Sequence, residues 1–338
     1  MNKKDILQTV LAKLDSVKEE KVELPVMGSW PQTFHLFDER SIWAVKAALA
    51  AERPLLVRGE PGTGKSQLAR AVAYVVGRAF ISEVVHARSE CRDLQWHYDA
   101  VSRLGEAQAL GASRSDVDVT KHLNPLRFLS PGALWWAFDW HSACNQFEQC
   151  HDHICMPITP KDWNPTFGCV VLIDEIDKAD ADLPNGLLET LGNGAFTVPF
   201  LKEAVGLSKD TPAPLVVITT NEERELPTAF IRRCLVLHLE LPKEELKLKA
   251  WLMKRGEIHF GPGCPEECSE AVRKEAANQL WQDREDALKR SVPAPGQAEY
   301  LDMLRAVCRI SNDETKQMEA LEKIRDFALV KNAVEFRP

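Results

Sequence analysis

The chain of 338 residues is 45% hydrophobic and carries a formal net charge of −8, so it can bury the cores of two domains, and its acidic balance argues against a protein that coats nucleic acid. No apolar run approaches the ~18 residues of a membrane span, and Met1-Asn2-Lys3-Lys4-Asp5 has no signal-peptide core behind it; a cytoplasmic protein without a membrane partner is expected. The nine cysteines are scattered, several within apolar runs (Cys169, Cys234, Cys308), where a reduced thiol serves as a small core residue rather than half of a disulfide.

In chain order, residues 3 to 20 place Ile6, Val10, Leu14 and Val17 at helical spacing, which predicts an amphipathic helix that either packs on its own subunit or acts as a partner-binding arm. Trp30-Pro31 to Asp38 reads as a loop, and Ser41 to Glu52 as a helix capped by Ser41 or Asp38. The apolar run Leu55 to Val57 then leads into Gly59-Glu60-Pro61-Gly62-Thr63-Gly64-Lys65-Ser66, and an Ala-rich helical pattern follows from Gln67 to Val76. A strand, a glycine-rich turn and a helix start in that order form a phosphate-binding loop, because backbone N–H groups at a helix N-terminus hold anionic oxygens. Gly59, Gly62 and Gly64 allow the loop to curl, Lys65 would reach the β- and γ-phosphates, and the Ser66 hydroxyl would be a ligand of Mg²⁺.

A second strand is expected from Ala79 to His86. Lys65 and Asp174 stand 109 positions apart, and a long segment at about 88–168 separates the second strand from the third. It contains a helical stretch, Arg92 to Leu110, and the run Leu134-Trp135-Trp136-Ala137-Phe138-Asp139-Trp140, which is either core or a surface gripping a neighbouring subunit or client. Cys144, Cys150, His151, His153 and Cys155 also fall here, a density that suits tetrahedral Zn²⁺ although the spacing matches no standard knuckle.

Cys169-Val170-Val171-Leu172-Ile173 reads as a buried parallel strand ending in Asp174-Glu175. Carboxylates at that end of a strand suit Mg²⁺ binding, usually through water, for Asp174 and activation of water as a base for Glu175. Leu215 to Asn221 is a similar run, with Asn221 placed to orient the water. Leu226-Pro227-Thr228-Ala229-Phe230-Ile231-Arg232-Arg233-Cys234 ends a short helix in two arginines, either a solvated helix end or a finger reaching a neighbouring subunit's site. Beyond Pro242 the pattern turns to helices: Glu244 to Arg255, Cys268 to Arg290 and Ala298 to Ile310, then a charged amphipathic tail from Asp313.

This order of parts resembles the AAA+ ATPases, and within them the MoxR-like group. Gly59 to Ser66 matches Walker A, Leu172-Ile173-Asp174-Glu175 Walker B, Asn221 sensor 1, and Pro227 to Cys234 the arginine-finger segment. Pro131-Gly132-Ala133-Leu134 and Leu187-Leu188-Glu189-Thr190-Leu191 are similar to phrases of that group, and the resemblance covers roughly residues 30 to 310.

The resemblance implies an α/β fold, an AAA+ P-loop core with a five-stranded parallel sheet flanked by helices, followed by a small helical lid. It implies residues 1–29 as leading helix and linker, 30–241 as the nucleotide-binding domain with the segment at about 88–168 as an insertion, and 242–338 as lid and tail, with the loop Trp30 to Asp38 near the adenine and a hairpin at about Phe196 to Pro214. Gly59 to Gln67 would bind ATP, with Ser66 and Asp174 on Mg²⁺. Lys65, Glu175 and Asn221 would act in hydrolysis, together with Arg233, helped by Arg232, from a neighbouring subunit of a hexameric ring. The implied work is remodelling of a protein client, often with a von Willebrand A-domain partner. A nucleotide-gated scaffold or switch in a multi-protein complex, such as one for defence, is an alternative, and a GTP-using nucleic-acid motor a further one. One departure stands out: where the family places the sensor 2 arginine of the lid, this chain has Gln297, and neither Arg290 nor Arg305 clearly replaces it.

Overall fold

The computed structural model describes residues 3–112, 118–151, 156–207 and 211–329. The chain divides into two compact units, one of residues up to 18, 38–58 and 66–237, the other of residues 19–37, 59–65 and those from 238 onward.

The first unit is built on a five-stranded parallel sheet of β1 (Leu55–Arg58), β2 (Ala79–Val84), β3 (Cys169–Asp174), β4 (Leu215–Thr220) and β5 (Leu235–His238) in the order β5-β1-β4-β3-β2. Val217 lies opposite Leu55, Leu215 opposite Val170 and Ala79 opposite Cys169. Every residue of β4 and all but the last of β3 are buried, as expected for parallel strands covered on both faces. Their β-branched side chains favour the extended backbone, and each fully buried Val, Leu or Ile contributes roughly 1.5–3 kcal/mol. Because β4 runs between β1 and β3, the carboxyl ends that carry Arg58, Asp174 and Thr220 come side by side.

The helix Lys3–Asp15 buries Ile6, Val10 and Leu14 and packs against the helix Glu39–Ala51 of the same unit, tied by Lys46 Nζ to Asp15 at 2.8 Å. Of the two roles read from its sequence, packing on its own subunit is the one seen. The second of these helices is capped by Asp38, whose carboxylate accepts from the Ser41 N–H at 2.7 Å.

The insertion differs from its expected form. In place of one helix from Arg92 to Leu110, a short helix Cys91–Gln95 gives way to a strand Trp96–Tyr98, and a second helix follows at Ala100–Ala112. The strand pairs antiparallel with Leu129–Pro131, a long-range partner that outweighs local helical periodicity for three aromatic residues. Asp99 then caps the second helix through the Ser102 N–H at 2.8 Å. Trp135 and Trp136 are buried in the main core, and Trp140 packs edge-on against Trp163, with ring centroids 4.4 Å apart; this run is core. The hairpin expected at about Phe196 to Pro214 is a pairing of Ala195–Phe196 with Val205–Gly206.

The second unit contains the helices Glu245–Phe260, Glu270–Lys289, Gln297–Ile310 and Glu314–Ala328. Their shared core includes Leu248, Leu252, Val272, Leu280, Tyr300 and Leu304. The first of them runs past its expected end at Arg255, through Gly256, to Phe260, although glycine is a poor helix former. A Cβ on Gly256 would lie 2.4 Å from the Tyr300 hydroxyl, so the glycine is needed for close helix approach. The stretch Trp30 to Asp38, expected as a loop, instead contributes the strand Thr33–Leu36, paired antiparallel with Lys21–Leu24; strand pairing supplies hydrogen bonds that single-sequence turn signals do not reveal. The described part of the tail completes this helical unit, with Leu321 fully buried and Arg325 bonded to Asp283. No described helix is long and apolar enough to cross a membrane.

One histidine makes this unit sensitive to acid. Burial pushes His259 down to about 4, and Arg305, Lys21 and Arg255 add to the effect. The folded unit therefore keeps His259 neutral while the unfolded chain, near 6.5, takes up a proton first, so stability is full above about pH 6.5 and falls as the pH drops toward 4. The expected loss over that window is roughly 3 kcal/mol. Thermal unfolding of wild type and His259→Phe at a series of pH values checks this: the variant should lose most of the slope.

Candidate functional site

In the first unit the chain turns sharply after β3. Asp174 closes the strand and Glu175 adopts a left-handed backbone, φ 59 and ψ 48, an uncommon conformation for a non-glycine residue and one that clusters at functional sites. The Ser66 hydroxyl donates to Asp174 and lies 2.8 and 2.9 Å from its two carboxylate oxygens. The Thr219 hydroxyl, at the end of β4, also donates to Asp174 and accepts the Glu175 N–H at 2.9 Å. The Asn221 side-chain N–H reaches Glu175 Oε1 at 3.3 Å. Lys178 Nζ pairs with Glu175 Oε2 at 2.5 Å, and that hydrogen bond holds the Lys178 ammonium above its ordinary range. Asp177 accepts the backbone N–H groups of Asn221 and Glu223, at 3.4 and 2.9 Å, and so fixes the turn after β4.

Sequence reading brought Ser66, Asp174, Glu175 and Asn221 to this place, and the structure joins them in one hydrogen-bonded cluster. It adds Thr219, Asp177 and Lys178. The signal for the last two was the unusual charge density of Asp174-Glu175-Ile176-Asp177-Lys178; for Thr219 it was a hydroxyl at the end of an otherwise apolar run. The fit of this cluster to a hard cation is chemical: a hydroxyl and a carboxylate already share one locus, and both are oxygen donors. Beside Ser66, the Gln67 side-chain nitrogen is buried with no hydrogen-bond partner among the described residues, a donor left for an acceptor the protein does not itself supply.

The glycine loop belongs to the second unit up to Lys65. Gly62 has φ +75 and Gly64 φ +90, values that a β-carbon opposes. A Cβ on Gly62 would also meet the Ala298 Cβ at 2.6 Å. Lys65 is buried, and its ammonium donates to the carbonyls of Gly59 and Glu60 at 2.8 and 2.9 Å. Glu60, half exposed, accepts from Arg284 at 2.8 Å. Gln297 accepts from Arg255 Nε at 2.9 Å and Arg305 donates to Asp302. Arg284 is therefore the lid arginine that touches the loop, and sequence reading passed over it because nothing local marks one arginine in a charged helix.

Arg232 and Arg233 end the helix Thr228–Arg233 with both residues exposed, while Arg53 holds their two carbonyls. The backbone is anchored and the side chains are available to solvent. Of the residues read as a zinc cluster, His153 and Cys155 lie outside the described residues. The Cys150 thiol donates to the Leu129 carbonyl at 2.8 Å, and among the described residues no group of His, Cys, Asp or Glu is arranged to hold a metal ion. Burial pushes the Cys169 and Cys234 thiols up to about 12, as suits inert core residues.

A glycine loop between strand and helix, together with a buried parallel strand that ends in the carboxylates Asp174 and Glu175, defines a P-loop nucleotide-binding protein. The family model for the AAA domain, dynein-related subfamily, matches residues 54–234, more than half of the chain, and the chain belongs to that family of AAA+ ATPases. No curated protein matches it. A solved structure described as that of an ATPase from Cytophaga hutchinsonii is 14% identical, with 96% of this chain and 86% of that one covered, at a TM-score of 0.36; a likeness that low adds nothing to the family match.

Proposed function

We propose that the protein hydrolyses ATP as a MoxR-like AAA+ ATPase, forms a ring and remodels or assembles a partner protein complex. The observation that carries the reading is the cluster in which Asp174, Glu175 and Asn221 are linked to Ser66, the residue that closes the glycine loop. Gly59 to Gln67 bind the triphosphate through backbone N–H groups and the Lys65 ammonium. Ser66 and Asp174 hold Mg²⁺, which when bound neutralises charge on the phosphates. Glu175 accepts a proton from the attacking water, and Asn221 fixes the orientation of the Glu175 carboxylate. Lys65 stabilises the charge that develops on the phosphoryl oxygens, and Arg233, with Arg232 beside it, supplies the same stabilisation from a neighbouring subunit. The client is a protein, a von Willebrand A-domain protein being the first to test.

The native mass of the Glu175→Gln protein, measured with and without Mg²⁺-ATP, tests the ring. A shift to about six subunits on adding ATP is expected of a cyclic assembly closed by nucleotide. A monomer under both conditions would set the ring aside and leave a nucleotide-gated switch as the reading.

A further inference from the structure

The helix Glu270–Lys289 carries a charge where helices seldom do: Arg284 is only 8% exposed. A buried guanidinium is costly unless its donors are satisfied and its charge is paired. One of its nitrogens donates to the Pro295 carbonyl at 3.0 Å, which fixes the plane of the group. Another donates to Glu60 Oε1 at 2.8 Å, inside the phosphate-binding loop. The loop meets the same helical unit at two more points. A Cβ on Gly59 would lie 2.3 Å from the Leu239 carbonyl oxygen, and one on Gly62 would lie 2.6 Å from Ala298. Residues 59–65 accordingly form one compact unit with the lid helices.

Glu60 is an odd neighbour for a polyanion. Its carboxylate sits within the loop whose backbone receives the phosphates, where an uncompensated negative charge repels the ligand. The Glu60 carbonyl, moreover, accepts from both Lys65 and Thr63, so displacement of this one residue disturbs the groups on either side. We infer that Arg284 is a positioning residue of the nucleotide site: through Glu60 it neutralises the loop's own carboxylate and ties the loop to the lid helix Glu270–Lys289, so that loop and lid move as one body. The inference rests on residues 59–66 being the nucleotide site, as proposed above.

The test compares wild type with Arg284→Gln, Arg284→Lys, Glu60→Gln and the double variant Arg284→Gln/Glu60→Gln. Two readouts are taken: the Kd of a fluorescent ATP analogue, and hydrogen exchange of residues 59–65 and 270–289 without nucleotide. Arg284→Gln leaves Glu60 unpaired and should weaken the analogue about tenfold or more, as loss of a charge-assisted hydrogen bond does. Arg284→Lys keeps the charge but cannot serve Pro295 and Glu60 together, and should fall between. The double variant lacks the repelling carboxylate and should bind more tightly than Arg284→Gln alone. Exchange of 59–65 should quicken in Arg284→Gln and in Glu60→Gln. A double variant as weak as the sum of its single changes, or exchange at 59–65 unaltered in both single variants, overturns the inference. If wild type binds no analogue, the nucleotide reading fails by itself, and the exchange data still decide whether the pair ties loop to lid.

Discussion

Glu175→Gln is expected to leave ATP binding intact and to slow hydrolysis by about 10²- to 10⁴-fold, the usual contribution of a general base. The substitution is nearly isosteric. The amide oxygen can still accept from Asn221, whose side-chain N–H lies 3.3 Å from Glu175 Oε1, and the left-handed backbone at φ 59 is set by the turn rather than by the carboxylate. What is lost is basicity, together with the ion pair to Lys178. Phosphate release under single-turnover conditions, set beside binding of a fluorescent ATP analogue, separates the two effects, and Lys65→Ala serves as the variant that should not bind. Turnover like that of wild type in the Glu175→Gln protein would remove Glu175 from the role of base.

Arg233→Ala should bind nucleotide like wild type yet lose about 10³- to 10⁵-fold in turnover, the range for an arginine that completes a phosphoryl-transfer site. The helix end that carries it suits a reach outward. Arg53 ties down the carbonyls of Arg232 and Arg233 and both residues are exposed. Action in trans has a separate signature. Subunits with Lys65→Ala lack a working loop but keep the arginine, while subunits with Arg233→Ala keep the loop and lack the arginine. Mixing the two inactive proteins should restore activity at the interfaces where an intact loop faces an intact arginine. If mixing restores nothing while Arg233→Ala alone is slow, the arginine acts within its own subunit. Should Arg233→Ala turn over like wild type, the role passes to Arg232, or the pair is simply a solvated helix end.

Much of the site could be read before the structure because its chemistry is packed into short segments. The loop from Gly59 to Ser66 states its own backbone needs, since positive φ at Gly62 and Gly64 strongly favours glycine. The strands β3 and β4 are legible as apolar runs rich in β-branched residues, and each ends in the polar residues that the structure brings together. Short runs failed where pairing came from far away. Trp96–Tyr98 looked helical until Leu129–Pro131 supplied a partner, and Thr33–Leu36 looked like a loop until Lys21–Leu24 did the same.

The sequence alone thus determined the class of fold, the phosphate-binding loop and the acidic and amide residues that follow β3 and β4, because those depend on local backbone geometry and on burial patterns written in consecutive residues. Tertiary structure alone decided that Thr219 bridges Asp174 and Glu175, that Lys178 holds Glu175, and that Arg284 grips Glu60 across 224 positions of chain. The physical reason is the same in each case: a side chain's partner is set by which surfaces the packed core brings within hydrogen-bond reach, and no local pattern of residues encodes that distance.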